Sequence, residues 1–224
     1  MIEKLAKAVV DGDTEACRKG AEEALRAGIE PLTAMNEGLM KGIELTGKGY
    51  ESGEIFLSDM MRAADAMQAG INVLIPHVEE KDKAKFRKGR IAIGTMKGDI
   101  HDIGKNLVGV YLQAAGFDIH DLGVDVDPMK FVEKGQEVKA NILGLSALMT
   151  STRGFQREVV SLVNEMNLRQ TFFIIVGGAV TTPEWAREVK ADGYGRTCLD
   201  AVELCNKLTS AAPPLGQPIL IYQS

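Results

Sequence analysis

The apolar residues of this chain change their period once, and that change divides it in two. Residues 79–90 read EEKDKAKFRKGR, a charged and solvated stretch that marks a linker. Before it, apolar positions recur at three- and four-residue intervals and no segment reads as a strand. After it come five short apolar runs, at 91–96, 117–122, 141–147, 172–177 and 192–195. Helix-like segments alternate with them at 103–115, 129–139, 153–166, 184–190 and 199–209. Such alternation builds a doubly wound parallel sheet, because a parallel connection needs a crossover long enough to hold a helix. The sequence thus predicts an α/β chain: a helical domain over 1–88, a Rossmann-like five-stranded domain over 89–212, and a tail over 213–224. The segment Ala212–Ser224 has three prolines and an apolar ILIY run, which leaves edge strand, docked tail and disordered end all open.

The helical part reads as a four-helix bundle. A first helix covers Ile2–Val10. Asp13 caps a second through Ala27, with Gly28 as its stop. Pro31 opens a third, with Met35, Leu39 and Ile43 on one face, and the glycine-rich patch Gly47–Gly53 breaks it. Ser58 caps a fourth through about Leu74, ended by Pro76, with Met60, Ala64, Met67 and Ile71 as its apolar stripe. Seven of the ten methionines fall within the first 100 residues. Methionine fills irregular core gaps, and it also lines adaptable apolar surfaces such as a lid over a large flat ligand.

Composition narrows the class of protein. A net charge of −5 gives no electrostatic reason to expect nucleic acid or an anionic membrane as a partner. No apolar run approaches the roughly 20 residues of a membrane helix, and the amino terminus MIEKLAKAVVDGD has no signal-peptide apolar segment. The three cysteines, Cys17, Cys198 and Cys205, lack metal-ligand spacing and read as reduced residues of a cytoplasmic protein.

Chemistry concentrates at three places, each at the carboxyl end of an expected strand, where open α/β sheets bind ligands. The first is Gly98-Asp99-Ile100-His101-Asp102-Ile103-Gly104. An imidazole between two carboxylates is suited to giving one ring nitrogen to a metal while Asp99 or Asp102 fixes the other. The second is Ser146-Ala147-Leu148, followed by Thr150, Ser151 and Thr152. The third is Gly177-Gly178. No G-x-G-x-x-G, Walker loop or nucleophile elbow is present, which disfavours a phosphate-cradled nucleotide and acyl-enzyme chemistry. His77 and His120 lie elsewhere, so a zinc site lacks its three or four protein ligands. One histidine suffices where a macrocycle supplies the remaining donors, as in a haem or a corrin.

These residues resemble the D-x-H-x-x-G, S-x-L and G-G signature of cobalamin-binding domains. The helical part, with Gly53-Glu54-Ile55-Phe56-Leu57, resembles the bundle cap of the methyl-carrying members. Over about residues 1–210 the chain is similar to the corrinoid proteins of three-component methyltransferase systems and to the corresponding modules of methionine synthase. The resemblance implies a cobalamin or related corrinoid whose cobalt takes His101 as lower axial ligand, with Asp99 accepting the other ring N–H. A hydroxyl extends that relay, Thr152 at the matching position and Ser151 beside it. Gly98, Ile100, Asp102, Ile103, Leu148 and Thr150 belong to the cofactor-binding loops. Ser146 bonds the displaced benzimidazole, Gly104, Gly177 and Gly178 leave room for the nucleotide tail, and Tyr194 matches a position near it. Phe56, Met60 and Met67 are candidates for the apolar cap, with 79–90 as the hinge that moves it. The implied function is to carry a methyl group on cobalt from a substrate-specific methyltransferase to a second methyltransferase, with a reductive activation protein as a further partner. A cobalamin-sensing regulatory module and a mutase subunit are the alternatives. The first would be expected to carry a DNA-binding domain, and the second lacks such a helical cap.

Overall fold

In the computed structural model, which describes residues 1–78, 88–210 and 220–222, helices fill the chain up to His77 and strands begin at Gly89. Its contacts divide it into two units, Met1–Phe86 and Arg87–Ser224. Residues 79–87 of the expected linker lie outside the described residues. Among the described residues no helix is long and apolar enough to cross a membrane.

The first unit begins with α1 (Ile2–Val10) and α2 (Thr14–Arg26). Asp13 caps α2 by accepting the Ala16 N–H at 2.9 Å, as its sequence position predicts. Then Pro31–Thr33, a π-helical stretch Ala34–Met40 and Lys41–Glu51 follow one another directly as a single rod, α3. The wider π turn accounts for the four-residue spacing of Met35, Leu39 and Ile43, all of which are buried. α3 also runs through Gly47 and Gly49, where the sequence reading placed its break. Buried Ile43 and Thr46 anchor this stretch, and tertiary packing of that kind outweighs the weak helix propensity of glycine. The rod ends instead where the N–H groups of Glu54 and Ile55 close onto the Gly49 carbonyl. α4 (Leu57–Leu74) follows, with a short 3₁₀ turn, Ile75–His77, at Pro76. Phe56, not Ser58, is its N-cap residue, and Asp59 in its first turn accepts the Phe56 N–H at 2.9 Å. Gly42 lets α3 lie against α1, since a Cβ there would come within 2.6 Å of the Ala6 carbonyl oxygen.

The second unit alternates strand and helix as expected: β1 (Gly89–Thr95), α5 (Ile103–Ala114), β2 (Phe117–Asp121), α6 (Pro128–Glu137), β3 (Ile142–Ser146), α7 (Gly154–Glu165), β4 (Phe173–Gly177), α8 (Pro183–Val189), β5 (Gly193–Gly195) and α9 (Cys198–Thr209). All five expected strands are present and parallel, in the order β2-β1-β3-β4-β5. A sixth, β6 (Leu220–Tyr222), pairs in parallel with β5 and extends the sheet. That places part of the 213–224 segment on the sheet edge; 213–219 and 223–224 lie outside the described residues.

Alternation along the strands sorts the sheet into two faces. Ala92, Met96, Leu143, Leu145, Ala147, Ile174, Val176 and Tyr194 pack with Phe131, Val159, Val160 and Trp185 of α6, α7 and α8 in one apolar core. The alternate residues face α5 and α9: Gly193 lies against Leu204, and Gly195 against the backbone of Ala201. Cys17 and Cys205 are buried free thiols, and burial, with Asp13 nearby, pushes the Cys17 thiol up to about 12.

Two of the expected tail-channel glycines are distinguished by their surroundings. Gly178 has φ +106°, and a Cβ there would stand 2.0 Å from the Ala147 carbonyl oxygen. Gly178 is therefore required by backbone contact between the ends of β3 and β4, whatever lies beside it. At Gly104, in the first turn of α5, an added Cβ meets nothing within 4 Å. Gly178→Ala should destabilise the apoprotein by about 2–6 kcal/mol, combining backbone strain with overpacking. Gly104→Ala should leave it unchanged or up to about 1 kcal/mol more stable through helix propensity. Urea unfolding of the two variants checks both, and equal effects would contradict the distinction.

Candidate functional site

The β1–α5 loop turns at Gly98, where φ is +77° and the N–H donates to Asp125 Oδ1 at 2.7 Å. The turn carries Asp99 inward to 0 % exposure. Its Oδ1 accepts the His101 backbone N–H at 3.1 Å and lies 2.7 Å from His101 Nδ1. Its Oδ2 accepts the N–H groups of Leu148 (2.8 Å) and Met149 (3.2 Å) and the hydroxyl of Thr152 (2.8 Å). Burial works against ionisation here. The Leu148 N–H, the His101 ring, the His101 N–H and the Thr152 hydroxyl overcome it and hold the carboxyl well below the usual carboxylate range.

An ionised Asp99 fixes the imidazole tautomer. A carboxylate can only accept, so Nδ1 carries a proton, and in the neutral ring the lone pair is on Nε2. The ring is 48 % exposed, and Nε2 makes no hydrogen bond to any described residue. Thr152 is the hydroxyl behind the pair; Ser151 and Thr150 are exposed. Ile100 and Ile103 after β1, Val124 after β2 and Leu148 after β3 are all exposed, an apolar rim at the sheet's carboxyl edge. Asp102 precedes α5 and accepts from Asn106 Nδ2 at 3.0 Å, so the ring is fixed by Asp99 and not by Asp102.

Beside the imidazole the sheet offers an open strip. Thr95, Ser146 and Gly177 are register partners across β1, β3 and β4 on the face toward α5 and α9. The Ser146 hydroxyl makes no hydrogen bond to a described residue. A Cβ on Gly177 would meet only the Gly195 carbonyl oxygen, at 3.8 Å, and one on Gly104 would meet nothing within 4 Å. Tyr194 does not belong to this strip. It alternates with Gly193 and Gly195, and its ring is buried in the core on the opposite face.

The helical-unit candidates separate by burial. Met60 (3 % exposed) and Met67 (0 %) are enclosed by their own bundle and serve as its core, contrary to the expected cap role. Phe56 is 75 % exposed at the start of α4, next to exposed Leu57 and Met61, so its ring is free to meet a ligand.

Sequence reasoning missed Lys105, Asp121 and Asp125. Lys105 is buried in the first turn of α5, with Nζ 2.5 Å from Asp121 Oδ2 and 2.6 Å from Asn106 Oδ1. Asp121 also accepts the Gly123 N–H, which ties the start of α5 to the β2–α6 loop. Asp121 lies at the carboxyl end of a strand, the same signal that singled out the other three loops. Among the described residues no cluster of three or more His, Cys, Asp or Glu could hold a metal by itself. The donor set is one imidazole nitrogen in an apolar rim, which fits a metal whose other ligands come from a macrocycle.

Two family models match the chain, both described as B12 binding domains, at residues 89–203 and 1–75. A corrinoid protein of Desulfitobacterium hafniense is 41% identical over 209 residues, covering 93% of this chain and 97% of that protein. A trimethylamine corrinoid protein of Methanosarcina barkeri is 41% identical over 202 residues, covering 90% and 93%. Among solved structures, the methanol:cobalamin methyltransferase complex of Methanosarcina barkeri superposes with a TM-score of 0.78 at 28% identity, over 95% of this chain and 80% of the matched chain.

The depressed Asp99 carboxyl carries a stability signature. A carboxylate lowered by folding contributes fully above its unfolded value of about 3.9, and the contribution is lost as pH falls through the lower folded value. Asp99→Asn should cost the apoprotein about 1.5–3 kcal/mol at neutral pH, since a charge-assisted network is broken. It should also flatten the loss of stability below about pH 4. Urea titrations of both proteins at several acidic pH values read the two effects, and parallel pH profiles would remove Asp99 from this role.

Proposed function

The chain belongs to the methyltransferase corrinoid protein family and binds a corrinoid, and from that premise we propose that it carries a methyl group on cobalt between a substrate-specific methyltransferase and a second methyltransferase. The observation that carries this reading is the His101 ring, fixed in direction by a buried, ionised Asp99 at a sheet edge that carries exposed apolar side chains. When bound, the corrinoid's cobalt supplies the site that accepts and releases the methyl group.

The chain's own residues do the rest. His101 Nε2 would give its lone pair to the cobalt. Asp99 Oδ1 holds the proton on Nδ1, and Thr152, Leu148 and Met149 hold Asp99. A partner of this kind sets both ring orientation and donor strength at metal-bound histidines. Ile100, Ile103, Leu148 and Val124 would exclude water from the ligating edge once the group is bound. Ser146 has an uncommitted hydroxyl for the displaced base, and Gly104 and Gly177 leave the strip beside it open for the nucleotide tail. The matched structure is of a complex with a methyltransferase, which supports docking to such an enzyme here. A reductive activation protein completes the set of proposed partners.

The test of ligation is spectroscopic. In the cobalt(II) form, supplying ¹⁵N-histidine should change the nitrogen coupling in the electron-spin signal of the wild type. His101→Ala should abolish that response and weaken binding by more than the roughly 10–100-fold typical of outer-shell substitutions at metal sites. A wild-type coupling that ignores the histidine label would overturn the assignment.

A further inference from the structure

Behind the open strip, on the core face of the sheet, lies a buried polar side chain that neither ligation nor apolar packing explains. Gln156, in the first turn of α7, is 0 % exposed among apolar residues. Its Nε2 donates to the Leu145 carbonyl at 2.9 Å and to the Gly177 carbonyl at 3.1 Å. Its Oε1 accepts the Trp185 indole N–H at 2.8 Å. The Thr181 hydroxyl donates to the same Gly177 carbonyl at 2.9 Å. Two guanidinium groups stack on the indole, Arg153 at 4.4 Å and Arg157 at 4.7 Å from the ring centre. Arg153 also donates to the Val180 carbonyl at 3.0 Å.

Leu145 immediately precedes Ser146, the last residue of β3, and Gly177 is itself the last residue of β4; these two strands floor the strip. A buried amide is costly unless both its donors and its acceptor are used, and here all of them are. We propose that Gln156 is a positioning residue for the nucleotide tail: it pins the ends of β3 and β4 from behind, so that the Ser146 hydroxyl and the bare Gly177 backbone stay in the register that admits the tail. This rests on the reading that the tail occupies the Ser146–Gly177 strip. Gln156 touches no cofactor atom; it acts through the backbone of the strip.

The experiment compares two ligands, cobalamin and cobinamide, the second of which has the corrin ring without the nucleotide tail. Dissociation constants are measured by absorbance titration of the apoprotein. Gln156→Met keeps the side chain's length and removes its hydrogen bonds. It should weaken cobalamin binding about tenfold, the equivalent of roughly one lost neutral hydrogen bond, and leave cobinamide within about twofold. Trp185→Phe keeps an aromatic ring in the core while removing the indole N–H with its fused five-membered ring, and leaves the Gln156 bonds to the Leu145 and Gly177 carbonyls, so it should shift cobalamin binding in the same direction by less. It carries the test if Gln156→Met does not fold. Unchanged cobalamin affinity, or equal weakening of both ligands, would overturn the proposal, the second because it marks a general loss of structure. A wild-type protein that binds both ligands equally well would instead overturn the underlying assignment of the strip to the tail, and the role of Gln156 with it.

Discussion

Five donors converge on the buried carboxylate of Asp99, two from its own loop and three from the loop that follows β3. The two loops leave neighbouring strands, β1 and β3, at the point where the sheet's connections reverse direction, since β2 lies on one side of β1 and the later strands on the other. At such a point the loops diverge and leave a crevice. Asp99 spans it. One ionised group, taken out of water, is stable there only because each oxygen is fully engaged, so the geometry of both loops is coupled to its charge. The imidazole inherits its tautomer and direction from this arrangement before any ligand arrives. Little ordering remains to be done on binding, which is the condition under which contact energy is expressed as affinity.

Much of this architecture was legible in the chain itself. The change of period at 79–90, the five apolar runs and the three carboxyl-end motifs all arise from local chemistry: alternation, capping and chain reversal. Asp99 and His101 are two residues apart, so their pairing could be read from the sequence. What was not legible depends on packing between distant segments. The π turn in α3 and its continuation through Gly47 and Gly49 follow from burial of Ile43 and Thr46, which no local propensity encodes. Met60 and Met67 have the same spacing whether they face a ligand or a core, and only the assembled bundle shows that they face the core. Tyr194 sits among glycines in the chain, yet alternation turns its ring to the other side of the sheet. Lys105 and Gln156 are polar residues whose partners on other elements lie 11 to 29 residues away.

The two polar networks differ in kind. The Asp99 network carries charge and faces the crevice, where its imidazole is half exposed. The Gln156 network is neutral and enclosed, and it joins side chains of α7 and α8 to the carbonyls of two strands. They meet at Thr152 and Arg153, adjacent residues of which one holds the carboxylate and the other stacks on the indole. The stretch from Leu148 to Gln156 therefore serves ligand edge and core at once.

The two-sided sorting of β3 and β4 gives these strands something like a reading frame. Leu143, Leu145 and Ala147 hold one side of β3 to the core, while Ile142, Gly144 and Ser146 look the other way; β4 divides likewise between Ile174 and Val176 on one side and Ile175 and Gly177 on the other. A substitution alters one letter of this arrangement. A one-residue insertion or deletion between Asn141 and Ser146 exchanges the two sets outright, sending a leucine into the strip and a serine into the core. Drift in strand length is thus closed to this chain at the place where drift in side-chain identity is still open.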